Sequence, residues 1–294
     1  MLLPNSKEEY YTNPFIMDML NLVVKHREII FYKPDGEYKC NRPHYSIGTE
    51  YLLNLMTFFK IFERNYNMYV SVSKLKWIPP FEKTEIRKPK VKLWFSTIHK
   101  FIYEYDLLLD FDNHLKDDIT EEEEEKEFEN MFNEYYNFVL FLNKQQICFF
   151  TYPSSTAGFH IIIPSENFTN KKTFLNTESF KIGFDTYIGM LARNIKELFN
   201  LNYVDLNGIG TQTKIRKCEF SYNNGYSIFP LIEVTKNKDD YKILKINDNK
   251  LLDKIETYKE KGTYYINNFS EERNKNNMEN FLNKFQLIKY NEVV

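Results

Sequence analysis

The sequence predicts an α/β or α+β fold with a mixed sheet, on three observations. Apolar runs of strand length recur at 103–112, 147–152 and 159–164. Longer stretches, with apolar residues three and four apart, read as helices around them. The two kinds of segment mix without the strict strand–helix alternation of a doubly wound sheet.

Taken in order, 14–30 and 48–63 carry helical apolar spacing, and YVSVSK (69–74) alternates as a strand before the break at Pro79–Pro80. Residues 103–112 form a strand ending in two acids. The acidic run after it opens a helix through about 144, with glutamates in the first turns, where the helix dipole favours negative charge. ICFFTY (147–152) and FHIIIP (159–164) are strands joined by the PSSTAG loop, a hairpin against the acid-bearing strand. A helix covers 178–199, NYVDL (202–206) is a short strand ending in Asp205, YSIFPLIEV (226–234) is a strand, and 249–288 is helical. The reading is one domain over 1–294, with an N-terminal part (1–102), a chemical part (103–234) and a helical C-terminal part (235–294).

Composition narrows the classes. No apolar run approaches the ~18–20 residues that cross a bilayer. The start MLLPNSKEEYY lacks the basic and apolar regions of a secretory signal, so the expected location is intracellular, cytoplasm or nucleus, with no membrane. Cys40, Cys148 and Cys218 lie far apart, which fits a reducing compartment and predicts no structural zinc; Cys40 and His44 have no second pair nearby. The formal charge of −2 divides into −8 within 117–129 and +6 over the rest. A mildly basic body with an acidic, solvated helix face suits a nucleic-acid enzyme, among others.

Three motifs carry chemistry. In LLLDFDNH (107–114), Asp110 and Asp112 project from one face of a strand, ~7 Å apart along it. Carboxylates so close repel unless a cation lies between them, and Mg²⁺ or Mn²⁺ suits hard oxygen donors. Loss of one acid is therefore expected to hold or raise stability without metal. The same pair also occurs at strand ends that bind nothing. In PSSTAGFH (153–160), Ser154, Ser155 and Gly158 let backbone and hydroxyl donors approach an anion, and His160 adds a further donor; a polar hairpin turn is the plainer alternative. In YVDLNGIGTQTKIRKCEFS (203–221), Asp205 precedes Lys214, Arg216, Lys217 and Ser221. Alternation puts Lys214 and Arg216 on one face and Lys217 on the other, and a solvated basic edge is the plainer reading.

In this order the three motifs resemble the archaeo-eukaryotic primase superfamily, in particular its small catalytic subunit and single-chain primase-polymerases. The resemblance spans about 26–231, with HREIIFY (26–32) and YVSVSKL (69–75) ahead of the motifs. Departures are Ser155 in place of a glycine, lysines at 214 and 217 in place of arginines, Asn223 in place of a histidine, and no zinc-binding knuckle.

The resemblance implies an RRM-like sheet packed on a second α/β unit, with the acids in the cleft between them. It makes Asp110, Asp112 and Asp205 the catalytic ligands of two Mg²⁺ or Mn²⁺ ions. Ser154 and His160 would contact the phosphates of an NTP or dNTP, with Lys214, Lys217 and Ser221 beside them and Arg216 between the lysines. The implied activity is DNA primase chemistry: nucleotidyl transfer synthesising or extending short primers on a single-stranded DNA template during replication, with a primase large subunit as a partner the family allows. The alternatives are a gap-filling or translesion polymerase of the same superfamily, a metal-dependent nucleotide-sugar glycosyltransferase, and a non-catalytic nucleic-acid-binding module.

Overall fold

Asn13 separates the first two helices, α1 (Lys7–Thr12) and α2 (Pro14–Val24). Its side chain accepts the Phe15 N–H, and Pro14 fills the first helical position, where an N–H is dispensable. The computed structural model describes residues 4, 6–33, 49–58, 60–63, 66–75, 102–113, 120–155, 158–168, 187–207, 209, 214–261 and 265–287. The Pro79–Pro80 break, Cys40, His44 and the predicted helical start at 178–186 lie outside these residues.

The helix predicted over 14–30 stops at Val24. His26 adopts φ 62°, a left-handed conformation that turns the chain, and β1 (Ile29–Tyr32) follows. Then come α3 (Thr49–Phe58), β2 (Asn67–Ser71), β3 (Ser73–Leu75) and β4 (Ile102–Tyr105). The single strand expected over 103–112 is two: β4 pairs with β3, whereas β5 (Leu107–Asp112) enters another sheet. The break falls at Asp106, whose carboxylate is held by Arg27 at 2.5 Å and by the Ser165 N–H at 3.1 Å.

The acidic run becomes the start of α4 (Glu121–Lys144). Thr120 accepts the Glu123 N–H, and Glu123 reaches back to the Thr120 N–H, a reciprocal cap. Two strands follow, β6 (Phe150–Ser155) and β7 (Gly158–Ile163), then α5 (Tyr187–Leu198) and β8 (Val204–Asp205). Then come β9 (Ile215–Lys217), β10 (Tyr222–Asn223), β11 (Tyr226–Ser227), β12 (Leu244–Lys245), α6 (Asn249–Lys261) and α7 (Glu271–Lys284). The strand expected over 226–234 is only β11; the main chain then leaves the ladder, and Pro230 beyond it has no N–H to donate.

The protein is α+β, with small antiparallel sheets. The largest has the order β6-β7-β5-β8, and its elements run β5–α4–β6–β7–α5–β8, the split β-α-β arrangement. Every ladder among the described residues is antiparallel, in place of the mixed sheet expected. The physical reason is that β7 lies between β5 and β6, so these two strands run parallel without being neighbours.

Leu107, Leu109 and Phe111 of β5 and Phe159, Ile161 and Ile163 of β7 face the helices. Tyr135 of α4 stacks on Phe159 at 4.3 Å and meets Thr151 Oγ1 at 2.8 Å. A second apolar cluster joins α1, α2, α3 and α6 to the β1-β2-β9 sheet. Between the clusters lies a buried ionic layer, in which Arg27 pairs with Asp106 and Arg216 pairs with Glu219, and all four side chains are at most 7% exposed.

Candidate functional site

Register builds the site. Asp110 stands opposite both His160 on β7 and Asp205 on β8, and His160 stands opposite Tyr152 on β6. Tyr152, His160, Asp110 and Asp205 thus form one row across four strands, in steps of ~5 Å. The alternation that turns Leu109 and Phe111 toward the helices turns this row to the helix-free face, and Asp112 with it. The β1-β2-β9 sheet meets that face: the Tyr152 hydroxyl donates to the Lys217 carbonyl at 2.9 Å, and Lys217 Nζ donates to the Ser154 carbonyl.

Asp110 is the electrostatic centre. His160 Nε2 lies 3.1 Å from its Oδ1, and Lys214 Nζ lies 3.7 Å from its Oδ2. Burial pushes the Asp110 carboxyl up, but His160, Lys214 and Lys217 more than offset this and hold it at about 2. Burial pulls the Lys217 amine down, while Asp110 and Asp112 act in the opposite direction. Asp205 Oδ1 accepts the Asn207 N–H at 2.8 Å, and the Asn207 carbonyl accepts Lys214 Nζ at 2.9 Å. The Asn207 main chain therefore links Asp205 to Lys214, which reaches on to Asp110.

Of the residues singled out in the sequence, Asp110, Asp205, His160, Lys214 and Lys217 come together, with Asp112 next along β5. Ser154 is buried where the β6–β7 register shifts, and Ser155 pairs with Gly158 at the end of that ladder. Thr156 and Ala157, at the hairpin tip, lie outside the described residues. Arg216 and Ser221 are turned elsewhere. Arg216 is 2% exposed and pairs with Glu219. Ser221 donates to the Cys218 carbonyl and accepts from Asn223, whose side-chain oxygen takes the Met68 N–H at 2.7 Å. The alternation expected over 214–217 is broken because Lys214 precedes β9, so Lys214 reaches Asp110 and Lys217, held on the Ser154 carbonyl, lies near enough to feel Asp110 and Asp112, whereas Arg216 turns away.

Sequence reasoning missed Tyr152, Asn207 and the buried acids Asp106 and Glu219. Asp205-Leu206-Asn207 carries the Asx-turn signature, which was a usable signal. Nothing local marks Tyr152, because only strand register sets it beside His160.

The donor chemistry fits a hard divalent ion: three carboxylates on one face of the sheet, two from β5 and one from β8, each partly open to solvent. As the side chains stand, no three His, Cys, Asp or Glu among the described residues converge on one point, and Asp110 is neutralised by His160 and Lys214 instead. A cavity of about 320 Å³ elsewhere is lined by none of the row; in it Arg27, Lys74 and Arg216 are each already paired with acids. Among the described residues, no helix is long and apolar enough to cross a membrane.

No family model matches the chain, and no curated protein matches it.

Proposed function

We propose that this chain is a template-directed nucleotidyltransferase of the archaeo-eukaryotic primase type, making or extending short primers on single-stranded DNA. One observation carries the reading. The row His160–Asp110–Asp205, flanked by Lys214 and Lys217, crosses the helix-free face of a β-α-β-β-α-β sheet. That strand order supports a reading as the RRM-like core the primase resemblance implies, and the helix-free face is where its chemistry would lie.

Asp110, Asp112 and Asp205 would hold Mg²⁺ or Mn²⁺. The chemistry such ions would supply there is Lewis acidity and neutralisation of phosphate charge. The protein's own residues bind and orient. His160 presents Nε2 at the row, where it would donate to a phosphate oxygen. Lys214 and Lys217 supply the positive charge that a triphosphate needs in a partly buried cleft. Ser154 keeps the hairpin in place through the hold of Lys217 on its carbonyl. Arg216 and Ser221 support this arrangement from beneath without touching substrate.

The test is incorporation of labelled NTPs and dNTPs on unprimed and primed single-stranded DNA, with Mg²⁺ or Mn²⁺, beside Asp110→Ala and Asp205→Ala. Metal-dependent product on the unprimed strand, lost in both folded variants, is expected. Product on the primed strand alone would make the protein an extending polymerase. Activity surviving Asp110→Ala would end the assignment.

A further inference from the structure

We infer that Tyr152 is a positioning residue that fixes which ring nitrogen of His160 faces Asp110, and that Arg216 acts on the site through it. The hydroxyl of Tyr152 is fully buried and has three polar neighbours. These are the Lys217 carbonyl at 2.9 Å, His160 Nδ1 at 2.9 Å and Arg216 at 3.5 Å. A phenol carries one hydrogen, and a carbonyl oxygen only accepts, so that hydrogen goes to Lys217. The phenol oxygen is then the acceptor for the other two, which are a guanidinium N–H and the Nδ1–H of His160. Nδ1 is therefore the donor on that side, and Nε2, 3.1 Å from Asp110 Oδ1, carries a hydrogen as well, because a carboxylate oxygen only accepts.

The main chain of His160 is held separately. Its carbonyl accepts the Thr151 hydroxyl at 2.6 Å, and it sits in register between Tyr152 and Asp110. The Tyr152 and His160 rings meet edge to face, at 5.1 Å and 70°. Loss of the phenol oxygen thus frees the ring of His160 while the strand beneath it stays in place. It also explains why an arginine that touches no acid of the row sits under it: Arg216 donates to the same phenol oxygen and is anchored on the far side by Glu219.

This rests on the proposed function only where triphosphate enters; the ring assignment stands apart from it. The first measurement is the long-range ¹H–¹⁵N spectrum of the imidazoles in the full chain, which has five histidines, with the His160 signals assigned through His160→Gln. An exchange-protected Nδ1–H on His160 is expected in the wild type and its loss in Tyr152→Phe. An unprotonated Nδ1 in the wild type would overturn the inference without any variant having to fold. In the incorporation assay, Tyr152→Phe is expected to raise KM for the nucleoside triphosphate about tenfold with little change in kcat. In the His160→Gln background it should add nothing, and additive losses would overturn the inference. If the protein incorporates no nucleotide at all but Tyr152→Phe still removes the Nδ1–H signal, the positioning role stands and the nucleotidyltransferase reading falls.

Discussion

Asp110 and His160 face each other directly across β5 and β7, with Nε2 of the histidine 3.1 Å from Oδ1 of the acid. The acid at the middle of the row is thus already neutralised from within the chain, by His160 on one oxygen and Lys214 on the other.

The sign of its contribution to stability follows. Burial opposes ionisation, yet the cations hold the carboxyl at about 2, below its ordinary value of 3.8. The unfolded chain therefore binds more protons between those values. The stabilisation is complete above pH ~4 and disappears as pH falls through ~2, and it is on the order of 2 kcal/mol. Asp110→Asn is expected to be less stable than wild type at pH 6 and equal to it near pH 2, measured by denaturant unfolding across a pH series. This reverses the expectation from carboxylate repulsion alone, because Lys214 and His160 are the nearer charges. A variant as stable as wild type at pH 6 would restore the repulsion argument.

Lys214 competes with any cation for Asp110. Removing its charge in Lys214→Gln should tighten Mn²⁺ binding about tenfold. The same change should weaken triphosphate binding. Electron paramagnetic resonance of a Mn²⁺ titration reads the first effect without any turnover. Unchanged affinity would place the ion away from Asp110.

Arg216 is buried with its charge on Glu219, which is itself fully buried. Arg216→Met leaves that carboxylate uncompensated and should cost about 3–5 kcal/mol of stability. Arg216→Met together with Glu219→Leu should recover most of it. Thermal unfolding of both variants decides the matter. A stable single variant that has lost only triphosphate binding would instead make Arg216 a direct phosphate contact.

The cap on α4 is expected to matter for the fold alone. Thr120→Ala removes the acceptor for the Glu123 N–H and should cost about 1 kcal/mol, seen in denaturant unfolding. Incorporation should be unaffected, since the cap lies on the helix side of the sheet and the row lies on the other.

The sequence by itself determined the element types that local periodicity encodes. The leucines at 107–109, the hairpin around 153–158 and a helix through about 144 were all legible, because apolar spacing reports which face is buried and glutamates gather in a helix's first turns; its start at Glu121 was fixed by the Thr120 cap seen only in the structure. The candidate acids and His160 were legible too, as residue types at the ends of strands. The tertiary structure alone decided what those residues meet. Strand register set Tyr152, His160, Asp110 and Asp205 in one row, and the exchange of sheets at Asp106 gave Arg27 its partner. The burial of Glu219 drew Arg216 away from the site where spacing had put it. Asp110 with His160 and Asp205, and Arg27 with Asp106, are pairings between segments tens of residues apart, and a two-residue period along one strand carries no information about which residue of another strand stands opposite.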